Sequence, residues 1–338
     1  MHDPSQPSFP TASGNLDKPP PLADLPPVEA PSASFVVQLF LIPAVVVAVV
    51  ILVWLLFGKL AGGERDPAEY VRRLRQASGD WRSAFELASL IQNDAKLAAD
   101  PHLLGELSDL LASELNRQTV DTRLTVYLIK TVGAFQTLDA TLADGRKVDP
   151  IEPLARALEP KYDPAIRMEA AASLAKHAAR MEGKLDDPKA VAALGEAASA
   201  DDPELRQVAV YALGFFKTDD AVKLLRSRLQ EDENRYVRYN TAIALGRRGD
   251  ASAAGTLKEM LSTSQLESVV DLPTKAEQQN KIEAIELEAL QAVQSSLSSG
   301  SSDLAHSLRP EVEALTRSGL VSVRTQAQEL LQKLPPGN

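Results

Sequence analysis

The sequence predicts an all-α fold: an α-solenoid of about seven helix pairs, preceded by one transmembrane helix and a disordered N-terminal tail. Three observations predict it. Asp-Pro dipeptides recur at Asp66-Pro67, Asp100-Pro101, Asp149-Pro150, Asp163-Pro164, Asp187-Pro188 and Asp202-Pro203. Each joins an N-cap to a residue preset for the first helical position. Behind such caps a thirteen-residue pattern repeats without gaps. Upstream of them, residues 35–57 are apolar at 21 of 23 positions, with no charge between Glu29 and Lys59.

Residues 1–34 hold 9 of the 22 prolines and four acids (Asp3, Asp17, Asp24, Glu29) against Lys18 alone. Such a stretch cannot bury enough apolar surface to offset its ordering entropy, so it reads as a disordered tail. The block 35–57, interrupted only by Gln38 and Pro43, would extend about 35 Å as a helix, enough to cross a hydrocarbon core of about 30 Å. It is expected to engage the lipid bilayer, with Trp54 as an interfacial anchor. Five basic residues follow within 20 positions (Lys59, Arg65, Arg72, Arg73, Arg75) and one precedes (Lys18). The positive-inside rule then puts the chain in the cytoplasmic membrane as a single-pass protein, N-terminus outside and body in the cytoplasm. Residues 58–65 read as a linker, 66–334 as the solenoid and 335–338 as a C-terminal tail.

Within the body there is almost no strand signal. Residues 202–214, 163–175, 234–246 and 121–133 superpose on their caps. Three past the cap stand Leu205, Ile166, Val237 and Leu124. Seven past it stand Ala209, Ala170, Thr241 and Leu128, and eleven past it Leu213, Leu174, Leu245 and Val132. Steps of four put these on one face, and the small middle residue lets a neighbouring helix approach. Gly follows in three of the four, read here as a helix stop. Second helices are expected after Asp187, Asp220 and Asp250. Fainter copies begin at 80, near 279 (Ile282, Glu286, Leu290) and at 320 (Val323, Ala327, Leu331). Two stretches, Ser262–Asn280 and 295–303, read as loops.

A cap, then Leu205-Arg206, Ile166-Arg167, Val237-Arg238 or Val323-Arg324, then an Ala-rich helix ending in Leu-Gly, resembles the HEAT repeat. The resemblance is closest to the short bacterial form named after phycobilisome lyases, and it covers roughly 80–334. It implies stacked antiparallel helix pairs serving as a scaffold for protein partners. The other role it implies is a lyase-type helper in covalent modification of a partner protein.

Composition narrows the chemistry. The 338 residues carry 36 Lys plus Arg against 46 Asp plus Glu, a net charge of −10, with no cysteine and four histidines. Disulfides, thiol nucleophiles and Cys-held metals are excluded. A nucleic-acid groove would be basic, and this body is acidic. His2, His102, His177 and His306 are isolated, so no catalytic, cofactor-binding or metal site is expected, and neither is a small-molecule substrate. The expectation is a membrane-anchored scaffold with an unidentified protein partner and no catalysis of its own. One segment stands out as a candidate contact: Arg235, Tyr236, Arg238, Tyr239, Arg247 and Arg248, Tyr and Arg being the types enriched in binding hot spots. Arg238 is expected to pair with the neighbouring cap Asp202.

Overall fold

The structure, a computed structural model, describes residues 41, 44–55, 66–76, 80–182, 184–299 and 302–334. Its contacts divide the chain into two units, 1–65 and 66–338. In the first unit the described helix is α1 (residues 44–55). Among the described residues no helix is long and apolar enough to cross a membrane. That finding overturns the expected transmembrane helix and the membrane location built on it. Residues 35–40, 42–43 and 56–57, the acidic tail 1–34, the linker 58–65 and residues 335–338 lie outside the described residues.

The second unit begins with α2 (Pro67–Gln76), α3 (Trp81–Asn93), α4 (Ala95–Ala98), α5 (Pro101–Leu115) and α6 (Thr122–Val132). A two-stranded ribbon follows, β1 (Ala140–Thr141) and β2 (Lys147–Val148), antiparallel with Ala140 opposite Val148. Then come α7 (Ile151–Arg156), α8 (Pro164–Arg180), α9 (Pro188–Ala197), α10 (Pro203–Leu213), α11 (Asp219–Glu231) and α12 (Arg235–Gly246). A 3-10 turn (Ala251–Ala253) leads into α13 (Ala254–Met260), α14 (Thr263–Val269), α15 (Lys275–Ser298), α16 (Ser302–Ser307), α17 (Arg309–Leu315) and α18 (Val321–Lys333).

Seven of these, α3, α6, α8, α10, α12, α15 and α18, form one layer in which each helix packs on the next. This is the solenoid spine. The side chains three, seven and eleven past the cap in α6, α8, α10 and α12 are all buried, as the spacing predicts. In α15, Ile282, Glu286 and Leu290 are buried as well, so the blurred copy keeps its register. In α18 the last place shifts by one, with Leu330 buried and Leu331 half-buried. All six Asp-Pro aspartates accept a backbone N–H at the start of their helix, at 2.8–2.9 Å.

The pairing is phased one helix earlier than the sequence suggests. α6, α8, α10 and α12 each pack more extensively on the helix before them (α5, α7, α9, α11) than on the one after. α6 and α10 do end at their glycines, Gly133 and Gly214, and Gly246 is the last residue of α12, but none of the three ends its helix by a left-handed turn. Gly133 and Gly214 have right-handed dihedrals (φ −65° and −58°), and an added Cβ would fall 2.4 Å from Ser173 Oγ or 2.8 Å from Ala244 Cβ. They exist so that the next spine helix can approach.

Three further expectations are corrected. α11 starts at Asp219 under a Thr218 cap rather than after Asp220. Most of the two expected loops is helical. Thr274 and Glu277 form a reciprocal capping box that starts α15 before Asn280, and Ser295 and Ser296 return their hydroxyls to the carbonyls of Gln291 and Val293. The ribbon turns at Asp144-Gly145, with Gly145 at φ 84°, a hairpin signal too short to show as alternation.

Candidate interaction surface

Helix α12 carries the basic and aromatic cluster, and the structure splits it. Its twelve residues extend about 18 Å, with Arg235 at one end and Arg247 and Arg248 beyond the other. At the first end Tyr239 is buried and donates its hydroxyl to Glu259 Oε1 at 2.6 Å. Burial, followed by that carboxylate, pushes the phenol well above its ordinary pKa. Arg235 lies 3.5 Å from the same carboxylate and donates to the Val269 carbonyl at 3.1 Å. Tyr236 is half-buried, edge-on to Tyr239, with the Lys281 ammonium 4.8 Å from its ring centre.

Arg238 does not pair with Asp202. It donates to the carbonyls of Asp232 and Glu233 at 2.8 and 3.0 Å, just before its own helix. Arg206, its counterpart in α10, does the same to Ala200 and Asp201 and adds a two-pronged bond to the Asp232 carboxylate at 2.9 and 3.0 Å. The repeat's arginine is therefore a tie for the loop ahead of its helix. Because the carboxylate that Arg206 recruits stands at the C-terminal end of α11 and not at a helix N-cap, spacing alone missed it. Arg248 is structural too. It donates to the carbonyls of Gly214 and Phe216, as Arg180 does to Gly133 and Phe135 one spine pair earlier. Both arginines bind the exposed helix end of the preceding repeat.

The face of the spine opposite its buried stripe was not singled out by sequence reasoning, and it carries the aromatic side chains. Positions two, five and nine past the cap turn away from three, seven and eleven and position six lies on the flank, while position thirteen falls beyond the end of α10 and α12 buries Tyr239 at its fifth place. Between them these places also hold Phe85, Tyr127, Tyr211, Phe215 and Tyr236. With Trp81 these make six of the eleven aromatic residues between 66 and 338. At the α3–α6 end Trp81 stacks on Tyr127 (centroids 5.5 Å, 22°) and Phe85 meets that ring edge-on. The Arg123 guanidinium stands 4.8 Å from the Trp81 ring, and Phe85 remains 51% exposed. On α10, Tyr211 is 47% exposed and edge-on to Phe215. Between the two groups Glu169 joins Lys130 and Lys176. Aromatic residues at outward positions of successive repeats were the signal available in the sequence.

Among the described residues, no cluster of three or more His, Asp or Glu could hold a metal. His177 is buried, with Nε2 donating to the Val132 carbonyl at 3.1 Å, and burial lowers its pKa to about 4. His102 lies against the Thr141 carbonyl at 3.2 Å, joining α5 to the ribbon.

Residues 151–245 and 191–271 match the family model for HEAT repeats. The centre of this chain is therefore a run of HEAT repeats. No curated protein matches the sequence. Among solved structures the chain is similar to an engineered protein at 16% identity, with a TM-score of 0.39, over 80% of this chain and 96% of that one. It is also similar to the complex of CpcE and CpcF of phycocyanin lyase from Nostoc sp. PCC7120, at 16% identity and a TM-score of 0.41, over 81% of this chain and 96% of that one. The helix packing described above, rather than these likenesses, defines the fold.

Proposed function

We propose that the chain is a HEAT-repeat scaffold that holds another protein against the outward face of its spine, and that it has no catalysis of its own. The observation that carries this reading is the exposure of Phe85 on α3 and Tyr211 on α10, each in ring contact with a half-buried neighbour, Tyr127 or Phe215. Trp81, Tyr127, Phe215 and Tyr236 pack in part against the core, but Phe85 and Tyr211 leave about half of their surface in solvent, which stacking of the repeats does not require. Large aromatic side chains beside Arg and Lys are what a hot spot requires. Of the six residues of the α12 cluster, Tyr236 belongs to this face and Arg247 continues it beyond the helix end. Arg235, Arg238, Tyr239 and Arg248 hold the repeats together.

Site-specific photocrosslinking in the native cell tests the reading. A benzophenone side chain at Tyr211 or Phe85 should capture one discrete protein, while the same probe at the exposed Lys223 on α11 should not. Equal labelling at all three positions, or none at any, would contradict it.

A further inference from the structure

An open cleft of about 1030 Å³ lies where the ends of α12 and α15 meet the start of α11 and the 3-10 turn before α13. Its lining includes Lys217, Arg226, Arg247 and Arg248, with Asp250 as the one acidic residue among them. That carboxylate is already satisfied. Arg226 holds it at 2.7 Å, and the Ser252 N–H and hydroxyl donate to it at 3.0 and 2.7 Å. Three positive charges remain on the walls of a cleft in a chain whose net charge is −10. Arg248 is tied to the carbonyls of Gly214 and Phe216. The side chains of Lys217 and Arg247 make no ion pair or hydrogen bond among the described residues, although both residues line the cleft.

Like charges are not gathered without compensation unless something compensates them. Two unpaired cations with a third fixed behind them suit an anion of more than one charge, which a phosphoryl group provides with three acceptor oxygens. The cleft is far larger than one such group, so its occupant brings more than the anion. Lys217 follows Phe215 by two residues, so the cleft and the Tyr211–Phe215 pair are close in sequence. We infer that this cleft binds a phosphorylated side chain of the protein partner, with Lys217 and Arg247 as the contacting cations. The inference rests on the scaffold reading above and adds the chemistry that the partner presents.

The test uses the full chain and three probes: the peptide acetyl-Ala-Ala-phosphoserine-Ala-Ala-amide, its unphosphorylated twin, and inorganic phosphate. Calorimetry should show the phosphopeptide binding at least about 10-fold tighter than either of the others. A Lys217→Gln/Arg247→Gln double variant should lose that binding and keep the parent's melting temperature, since neither side chain holds the fold together. A phosphopeptide that binds no better than its twin would overturn the inference, and so would undiminished binding by the double variant. Phosphate binding as tightly as the phosphopeptide would make the cleft a free-anion site and overturn the peptide assignment. Phosphopeptide binding without crosslinks from Tyr211 would sink the scaffold face alone, and crosslinks without phosphopeptide binding would sink the cleft alone.

Discussion

The repeats from Pro164 to Gly246 and the stretch from Ala254 to Lys333 face one packing problem and answer it differently. In the first region each spine helix starts under an Asp or Asn, buries Ile or Leu or Val, then Ala or Thr, then Leu, and ties its leading loop with an arginine. In the second, α15 starts under a threonine capping box, runs for 24 residues and buries a glutamate, Glu286, where the earlier repeats place a small residue. α18 has no side-chain cap at all, yet Arg324 still reaches back to the Ser318 carbonyl. The lesson is that the register of the spine outlasts the chemistry that first reveals it. Burial at fixed spacing is the constraint, and caps and ties are interchangeable means to it.

The largest expected effect probes the regular region. Leu213→Ala removes a fully buried side chain at the eleventh place of α10 and should cost about 2–5 kcal/mol. Lys223→Ala, on an exposed face of α11, should change stability by less than about 0.5 kcal/mol. Denaturant melts of both variants measure this. Equal losses would mean that the spine register is misassigned.

A smaller effect separates the two regions by sign. His177 in α8 is held neutral, first by burial and then by the nearby Arg180 charge, so its folded pKa of about 4 lies below its unfolded value. The unfolded state then binds the extra proton, and stability is lost as pH falls from about 6.5 to 4, by at most about 3 kcal/mol. Glu286 in α15 behaves oppositely. Burial, then the charges of Glu283 and Glu267, raise its pKa against a hydrogen bond from Thr263. The folded state keeps the proton longer, so stability falls as pH rises above the ordinary glutamate value. His177→Gln should flatten the acid side of the pH–stability curve, and Glu286→Gln should lift its neutral side. Identical curves for parent and variants would show that neither group titrates differently on folding.

Much of this was legible because helix starts are written locally. An aspartate before a proline has one strong reading, and it fails in part only at Asp149-Pro150, where the proline takes the cap position and the aspartate still accepts the Ile151 N–H. Packing is not local, and that is where the reading failed. Gly133 and Gly214 do close their helices, as expected, but the close approach of Ser173 and Ala244 that also requires them is not written locally. Asp202 and Asp232 are equivalent partners for an arginine until the loops are placed. Ser-rich segments read as loops because serine favours turns, but three hydroxyls near the end of α15 bond back along their own helix instead. Composition marked out the candidate cluster, but the bonds that Arg235, Arg238, Tyr239 and Arg248 make within the repeats depend on packing and were not readable from it. The outward aromatic positions were in plain view once the register was known, since they are its complement.

The central claim is that the body is built of repeats that depend only on their neighbours. The most direct test is to excise residues 202–233, one full repeat, joining Asp201 to Asn234 in the otherwise complete chain. Arg206 and Asp232 leave together, and Arg238 inherits the carbonyls of Ala200 and Asp201 that Arg206 used. A nearest-neighbour solenoid should keep the parent's helical circular dichroism per residue and melt cooperatively at a lower temperature. Collapse of the helical signal across the remaining chain would contradict that claim.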